Sequence, residues 1–269
     1  MKRGLRNPIV QGGKIMKLFD SHAHYEDALF ANDRHERLEA LRESEVSYVL
    51  NCCSDVSVFD TVIEIAERHD FVYGSIGIHP HWVKEAPKNY LDLIRRYAAH
   101  EKIRAIGEIG LDYFYDEPKD LQKRIFREQL ELARDLGMPV IIHDREAHED
   151  CLEILAEYRP QGILHRYGGP AELLKQAFSW GMCVSYNNDL SYPAWRQPHI
   201  DCLLETPWEN LLIETDCPYA PPYTKKDQRC ESSDVRNVAA LIAKIRHVSE
   251  DFVARISLEN AKRVYRIPE

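Results

Sequence analysis

Eight short, β-rich apolar runs recur along the chain, and the stretches between them carry apolar residues at helical spacing. The runs are Leu18–His22, Val46–Cys52, Phe71–Ile78, Ile103–Ile109, Val140–His143, Gly162–His165, Met182–Tyr186 and Leu211–Thr215. Between them, Phe59, Val62, Ile63 and Ala66 share one helical face, as do Phe126, Leu130 and Ala133. Gly137 followed by Pro139 closes one predicted helix, and Ser249 with Glu250 and Asp251 behind it opens the last.

Strands alternating with helices predict a parallel sheet, and a count of eight predicts its closure into a single (β/α)8 TIM barrel; an open doubly wound sheet is the other arrangement. The 269 residues match the ~250 that such a barrel uses. Gly74–Gly77 and Gly107–Gly110 lack the G-x-G-x-x-G spacing of a dinucleotide loop. No linker or low-complexity tract divides the chain, so residues 16–269 read as one domain. Residues 1–15 carry Lys2, Arg3, Arg6 and Lys14, no acid and no apolar signal-peptide stretch. They are expected to form a loose extension outside the fold.

A composition of 44% hydrophobic and 29% charged residues excludes disordered, collagenous and coiled-coil chains. No apolar stretch reaches the ~18 residues of a membrane span. The net charge of −9 argues against a general nucleic-acid coat. It leaves room for a nuclease whose local field comes from metals and a few cations. Seven cysteines, an odd number with no C-x-x-C, predict free thiols in a reducing, cytoplasmic setting.

Metal-type side chains gather at the ends of the predicted strands. Asp20-Ser21-His22-Ala23-His24 closes the first, His79 and His81 follow the third, and Glu108 closes the fourth. His143 closes the fifth, His165 the sixth, and Asp216 follows the eighth. In H-x-H on a strand both imidazoles point to one side, and strand ends of a barrel converge on one mouth. Imidazole with carboxylate suits Zn, Mn, Fe or Ni, and carboxylates also admit Mg. His22, His24, Glu108, His143, His165 and Asp216 exceed the three protein ligands usual for one catalytic zinc, so two metals bridged by a carboxylate fit better.

With these residues in place the sequence resembles the TatD-type metal-dependent deoxyribonucleases of the amidohydrolase superfamily. The likeness runs from residue 17 to 269. It is carried by Asp20–His24, Gly77-Ile78-His79-Pro80-His81, Gly107-Glu108-Ile109-Gly110-Leu111-Asp112-Tyr113, Pro139–Arg145 and Glu214-Thr215-Asp216-Cys217-Pro218-Tyr219. The resemblance implies two divalent ions (Zn, Mg or Mn). His22, His24, Glu108 and Asp216 would hold the first, and Glu108, His143 and His165 the second. Two loops depart from the family pattern. Arg166-Tyr167-Gly168-Gly169 stands where Cys-Phe-Ser/Thr-Gly is usual, and Arg229-Cys230-Glu231-Ser232 where Arg-Asn-x-Pro is usual.

The function so implied is hydrolysis of DNA, preferably from single-stranded 3′ ends, by water activated at the metals. Asp216 would orient that water and take its proton, with Glu108 and His79 completing the catalytic set. Arg145, Arg166 and Arg229 are the candidate phosphate-binding cations. Tyr113, Phe114 and Tyr115 are candidates for base stacking or for packing. No membrane and no obligate protein partner are indicated. The same ligands would serve an amidase, lactonase or deacylase. A non-catalytic binding barrel would be favoured only if a ligand were missing.

Overall fold

The protein is described here by a computed structural model covering residues 16–268; the expected extension over residues 1–15 lies outside the described residues. Eight strands form: β1 (Leu18–Ala23), β2 (Val46–Asn51), β3 (Val72–Ile76), β4 (Ile103–Asp112), β5 (Val140–Arg145), β6 (Gly162–Leu164), β7 (Cys183–Tyr186) and β8 (Leu211–Ile213). They pair in parallel in chain order, as the alternating pattern predicts. Around them lie α1 (Arg34–Leu41), α2 (Phe59–Arg68), α3 (Tyr90–Ala98), α4 (Lys119–Leu136), α5 (His148–Tyr158), α6 (Ala171–Ser179), α7 (Arg196–Glu205), α8 (Val235–Arg246) and α9 (Glu250–Val264).

The local signals act where the sequence placed them. Phe59, Val62 and Ala66 bury one face of α2, and Phe126, Leu130 and Ala133 one face of α4. Gly137 takes the left-handed conformation that ends α4, and the Ser249 hydroxyl accepts from Phe252 N to cap α9. Most strand ends shift by a residue or two against the predicted runs, and the largest difference is at the end of the fourth. β4 does not stop at Ile109 but runs on to Asp112 beside β5. Gly110 permits this: at φ 146° it lies where a Cβ would come within 1.9 Å of the His143 carbonyl oxygen.

Two apolar layers follow from the pleat. One packs helices against the outside of the sheet. The other fills the barrel with Phe19, Leu50, Tyr73, Ala105, Ile141, Ile163, Cys183 and Leu212, one residue from each strand. Ala261 of α9, then Tyr265 and Ile267, join this inner layer and close the N-terminal end of the strands. The Tyr265 hydroxyl donates to the carbonyl of Ser21 at 2.9 Å. The C-terminal strand ends are left as the open mouth, which in a barrel is where chemistry sits. All seven cysteines are buried and free, and no helix among the described residues is long and apolar enough to cross a membrane.

The seam between β1 and β8 is the thin point of the barrel. It carries one parallel bridge, Ala23 to Cys217, with His24 N donating to Cys217 O and Asp216 N to His22 O. Side chains make up the deficit. The Asp20 carboxylate accepts from Thr215 N at 2.8 Å and from its hydroxyl at 2.6 Å, and Ser21 Oγ donates to Ile213 O at 2.8 Å. Burial pushes the Asp20 carboxyl up to about 7 despite the hydrogen bonds it accepts from Ser232 and Thr215. Asp20→Ala strands two buried donors and is expected to cost about 2–4 kcal/mol. Urea unfolding measures this directly, and a loss below about 1 kcal/mol would show that the seam does not depend on Asp20.

Candidate metal centre

The mouth collects side chains from six strand ends. His22 lies on β1 and His24 just past it. His79 follows β3, Glu108 sits on β4, His143 on β5, His165 directly after β6, and Asp216 after β8. Glu108 is buried at the centre, and its two oxygens face different neighbours. Oε2 lies 3.4 Å from His22 Nε2 and 3.5 Å from His24 Nε2. Those two nitrogens are 3.0 Å apart and stand 3.7 and 3.6 Å from Asp216 Oδ1. Oε1 lies 2.8 Å from both His143 Nδ1 and His165 Nε2, which are 3.3 Å apart. Donor atoms around a first-row divalent ion at ~2.0–2.1 Å in tetrahedral array are about 3.3 Å apart, so these spacings fit such ions. Among the described residues, the clusters that could hold a metal ion are His22 with His24 and Glu108, His22 with His165 and Asp216, and His79 with Glu108 and His143.

What stands behind each ring decides which face it turns to the centre. His24 Nδ1 faces Glu26 Oε1 at 2.8 Å, His143 Nε2 faces Asp112 Oδ2 at 2.9 Å, and His165 Nδ1 faces Glu214 Oε1 at 3.3 Å. His22 Nδ1 meets the sulfur of Cys52 at 3.2 Å. A carboxylate behind the ring favours a proton there, so that with an ion bound the other nitrogen would keep its lone pair for the ion, as a ligating histidine needs. His79 is the reverse case. Its Nδ1 accepts from the backbone N–H of His81 at 3.1 Å, so a neutral ring carries its proton on Nε2, 3.6 Å from Glu108 Oε1. In this arrangement His79 turns a donor toward Glu108, although the ring also stands in one of the clusters that could hold an ion. Burial, with His143 adding to it, holds its pKa well below the usual histidine value.

The carboxylates are tuned by the same neighbours. Burial pushes Glu108 up, but His165, His79 and His22 outweigh it and hold the group well below the carboxylate range. Asp216 is likewise lowered against its burial, chiefly by Arg166 and then by the histidines. Arg166 Nη1 donates to Asp216 Oδ2 at 2.8 Å, and its Nε to Asp189 Oδ2 at 2.7 Å. Arg166 and Asp216 both adopt left-handed backbone, φ 47° and 58°, which costs about 1–3 kcal/mol at a non-glycine residue and recurs at functional sites.

The three candidate phosphate-binding arginines separate. Arg145 and Arg166 line the mouth, a cavity of about 430 Å³. Arg145 is stacked 3.8 Å over the Phe114 ring. Arg229 is not brought there: its guanidinium forks onto Asp33 at 2.9 and 2.7 Å, donates to Leu29 O and covers Phe30. Of the aromatic run, Tyr113 packs away with its hydroxyl on Asp150, Phe114 lies under Arg145, and Tyr115 reaches the cavity wall beside His81. Glu26, Asp112, Glu214 and Cys52, which hold the ligand-type rings, were not singled out by sequence reasoning. Asp112 and Glu214 stand inside the quoted motifs, His24-x-Glu26 is a local spacing that could have pointed to the third partner, and nothing local marks Cys52.

The fold and this ligand geometry accompany a sequence match over residues 19–266 to the family described as TatD-related DNase. The chain belongs to this family. The TatD relatives include the uncharacterized metal-dependent hydrolase YabD of Bacillus subtilis, 36% identical over 93% of this chain and 99% of that protein. The 3′-5′ ssDNA/RNA exonuclease TatD of Pantoea ananatis is 28% identical over 92% of this chain and 99% of its own. The crystal structure of the TatD homologue YjjV from Escherichia coli superposes with a TM-score of 0.87 at 26% identity, covering 94% of this chain and all of that one. The chain is thus a metal-dependent hydrolase of the TatD type.

Ring-nitrogen NMR of His79 is expected to show the proton on Nε2 and a bare Nδ1. A proton on Nδ1 would overturn the assignment of His79 as a donor into the site.

Proposed function

We propose that this TatD protein is a two-metal exonuclease that removes nucleotides from the 3′ end of single-stranded DNA. The observation that carries the reading is the division of Glu108: one carboxylate oxygen toward His22, His24 and Asp216, the other toward His143 and His165. His22, His24, Glu108 and Asp216 would hold one divalent ion, and Glu108, His143 and His165 the other. When bound, such a pair would supply an activated water near neutral pH and positive charge to the attacking and leaving oxygens of a phosphodiester.

The residues of the chain do the rest. Asp216, its Oδ2 tied to Arg166, keeps Oδ1 toward the centre, where it orients the attacking water and takes its proton. His79 Nε2–H donates to a phosphoryl or leaving oxygen. Arg145, stacked on Phe114, is the cation that meets the phosphate. The 3′ polarity and the single-stranded substrate rest on similarity to the Pantoea relative, a 3′-5′ ssDNA/RNA exonuclease by name. The recessed centre favours a strand end over a duplex interior. With a net charge of −9 the contacts to phosphate are few, so binding weakens only shallowly with salt. Seven free, buried thiols suit a cytoplasmic setting.

Elemental analysis is expected to find two divalent ions per chain, and Glu108→Ala should lower both occupancies; intact metal content in that variant would remove Glu108 as the bridge. His79→Ala should retain its metal while kcat falls by ~10²–10⁴, the range for a lost proton-donating group. Gel analysis of end-labelled single-stranded oligonucleotides should show shortening from the 3′ end. Metal-loaded protein that leaves every oligonucleotide intact while hydrolysing an amide or lactone would refute the nuclease reading.

A further inference from the structure

The mouth over Glu108 has a second half that the proposed chemistry does not use. A hollow of about 410 Å³ opens beside it, and His143, Arg145, His165 and Arg166 stand in the walls of both. On its far side lies Trp195, 51% exposed although it is a tryptophan. One face of the indole is stacked on Tyr192, with ring centres 4.7 Å apart and planes at 14°. Tyr192 is in turn fixed by its hydroxyl on Pro221 O at 2.9 Å. Trp195 is therefore a braced, half-exposed plate in the wall of the hollow.

The rear wall is polar and built by the departing loop Arg166–Gly169. A Cβ on Gly168 would fall 2.5 Å from His199 Cε1, and one on Gly169 2.7 Å from the His148 ring. These two glycines are what admit both imidazoles. His199 is fixed by Nδ1 on Tyr167 O at 3.1 Å, and His148 by Nδ1 on Asp144 Oδ2 at 2.9 Å. The Asp144 side chain is almost fully buried, and its Oδ1 has no partner. Asp189 is neutralised by Arg166.

A flat aromatic plate facing a wall of ring nitrogens and a carboxylate matches the chemistry of a nucleobase, which has a π face and a hydrogen-bonding edge. A phosphate would be met by the arginines on the side shared with the mouth, but deeper in the hollow by the Asp144 and Glu146 carboxylates, and an acyl chain would leave the polar wall unsatisfied.

We propose that this hollow is a nucleobase subsite, in which a base next to the scissile phosphate stacks on Trp195 and turns its edge to His148 and His199. The subsite rests on the exonuclease reading and deepens it. Trp195→Ala should lower kcat/KM on a short oligothymidylate by about 5- to 100-fold, the span of one lost base stack, with the loss carried mainly by KM. Trp195→Phe should restore most of it. With an abasic residue at either the terminal or the penultimate position, whichever base the hollow takes, wild-type protein should fall to the Trp195→Ala level and the variant should lose nothing more. An equal further loss in the variant on both abasic substrates, or an unchanged KM on the intact one, overturns the subsite. A measurement without turnover separates this from failure of the nuclease reading: thymidine 5′-monophosphate should quench indole fluorescence in the wild type and not in Trp195→Phe. Quenching with no oligonucleotide cleavage would sink the exonuclease and keep the base site; equal quenching in both proteins, or none in either, would sink the base site.

Discussion

Everything at the mouth depends on the closure of β1 against β8. A barrel with a strong ladder on seven sides and a single bridge on the eighth is held there by a buried carboxylate, Asp20, gripping the backbone and hydroxyl of Thr215. His22 and His24 follow Asp20 by two and four residues, and Asp216 follows Thr215 by one. The clamp that closes the sheet therefore also sets the distance between the H-x-H pair and its carboxylate. Fold and site share one set of hydrogen bonds.

Such a site is expensive to assemble. Glu108 is stripped of water and surrounded by imidazoles, and it stays ionised because those rings outweigh the desolvation. The rings in turn are held from behind by Glu26, Asp112, Glu214 and Cys52, so the centre is two shells of alternating partners rather than a loose heap of ligands. His79 shows how fine the distinction is. It stands as close to Glu108 as His22 does, within 0.2 Å, yet one backbone N–H behind it turns its near nitrogen from acceptor to donor.

The strands and the central cluster were legible because each is a local signal: an apolar run, then a metal-type residue at its end, repeated until the spatial convergence of a barrel does the gathering. What escaped was whatever depends on a partner far along the chain. β4 runs past Ile109 only because Gly110 can press against the His143 carbonyl. Arg229, read as a phosphate contact, is claimed by Asp33, 196 residues away, and no spacing rule reports that pairing. Arg166 is partly taken in the same way by Asp189 and Asp216. The hollow beside Trp195 needs Gly168 against His199 and Gly169 against His148, contacts between separate loops that leave no periodic trace. Of the two loops that depart from the family pattern, one builds a wall of the mouth, while the arginine that the other keeps binds back to the segment after β1.

The lid that Tyr265 lays on the barrel floor, bonded to Ser21 from 244 residues away, bears on the order in which the molecule is made. During synthesis β1 emerges early and pairs with β2, but its other edge has no companion until β8 arrives, and the inner apolar layer has no floor until α9 arrives. For most of its time on the ribosome the nascent chain is thus an open parallel sheet with a bare edge and an unsealed core, the form of intermediate that invites strand addition from neighbours. Glu108, His143 and His165 stand at the adjacent strands β4 to β6 and can meet before that interval ends, whereas the side of the mouth shared by His22, His24 and Asp216 is complete only once β8 has closed on β1.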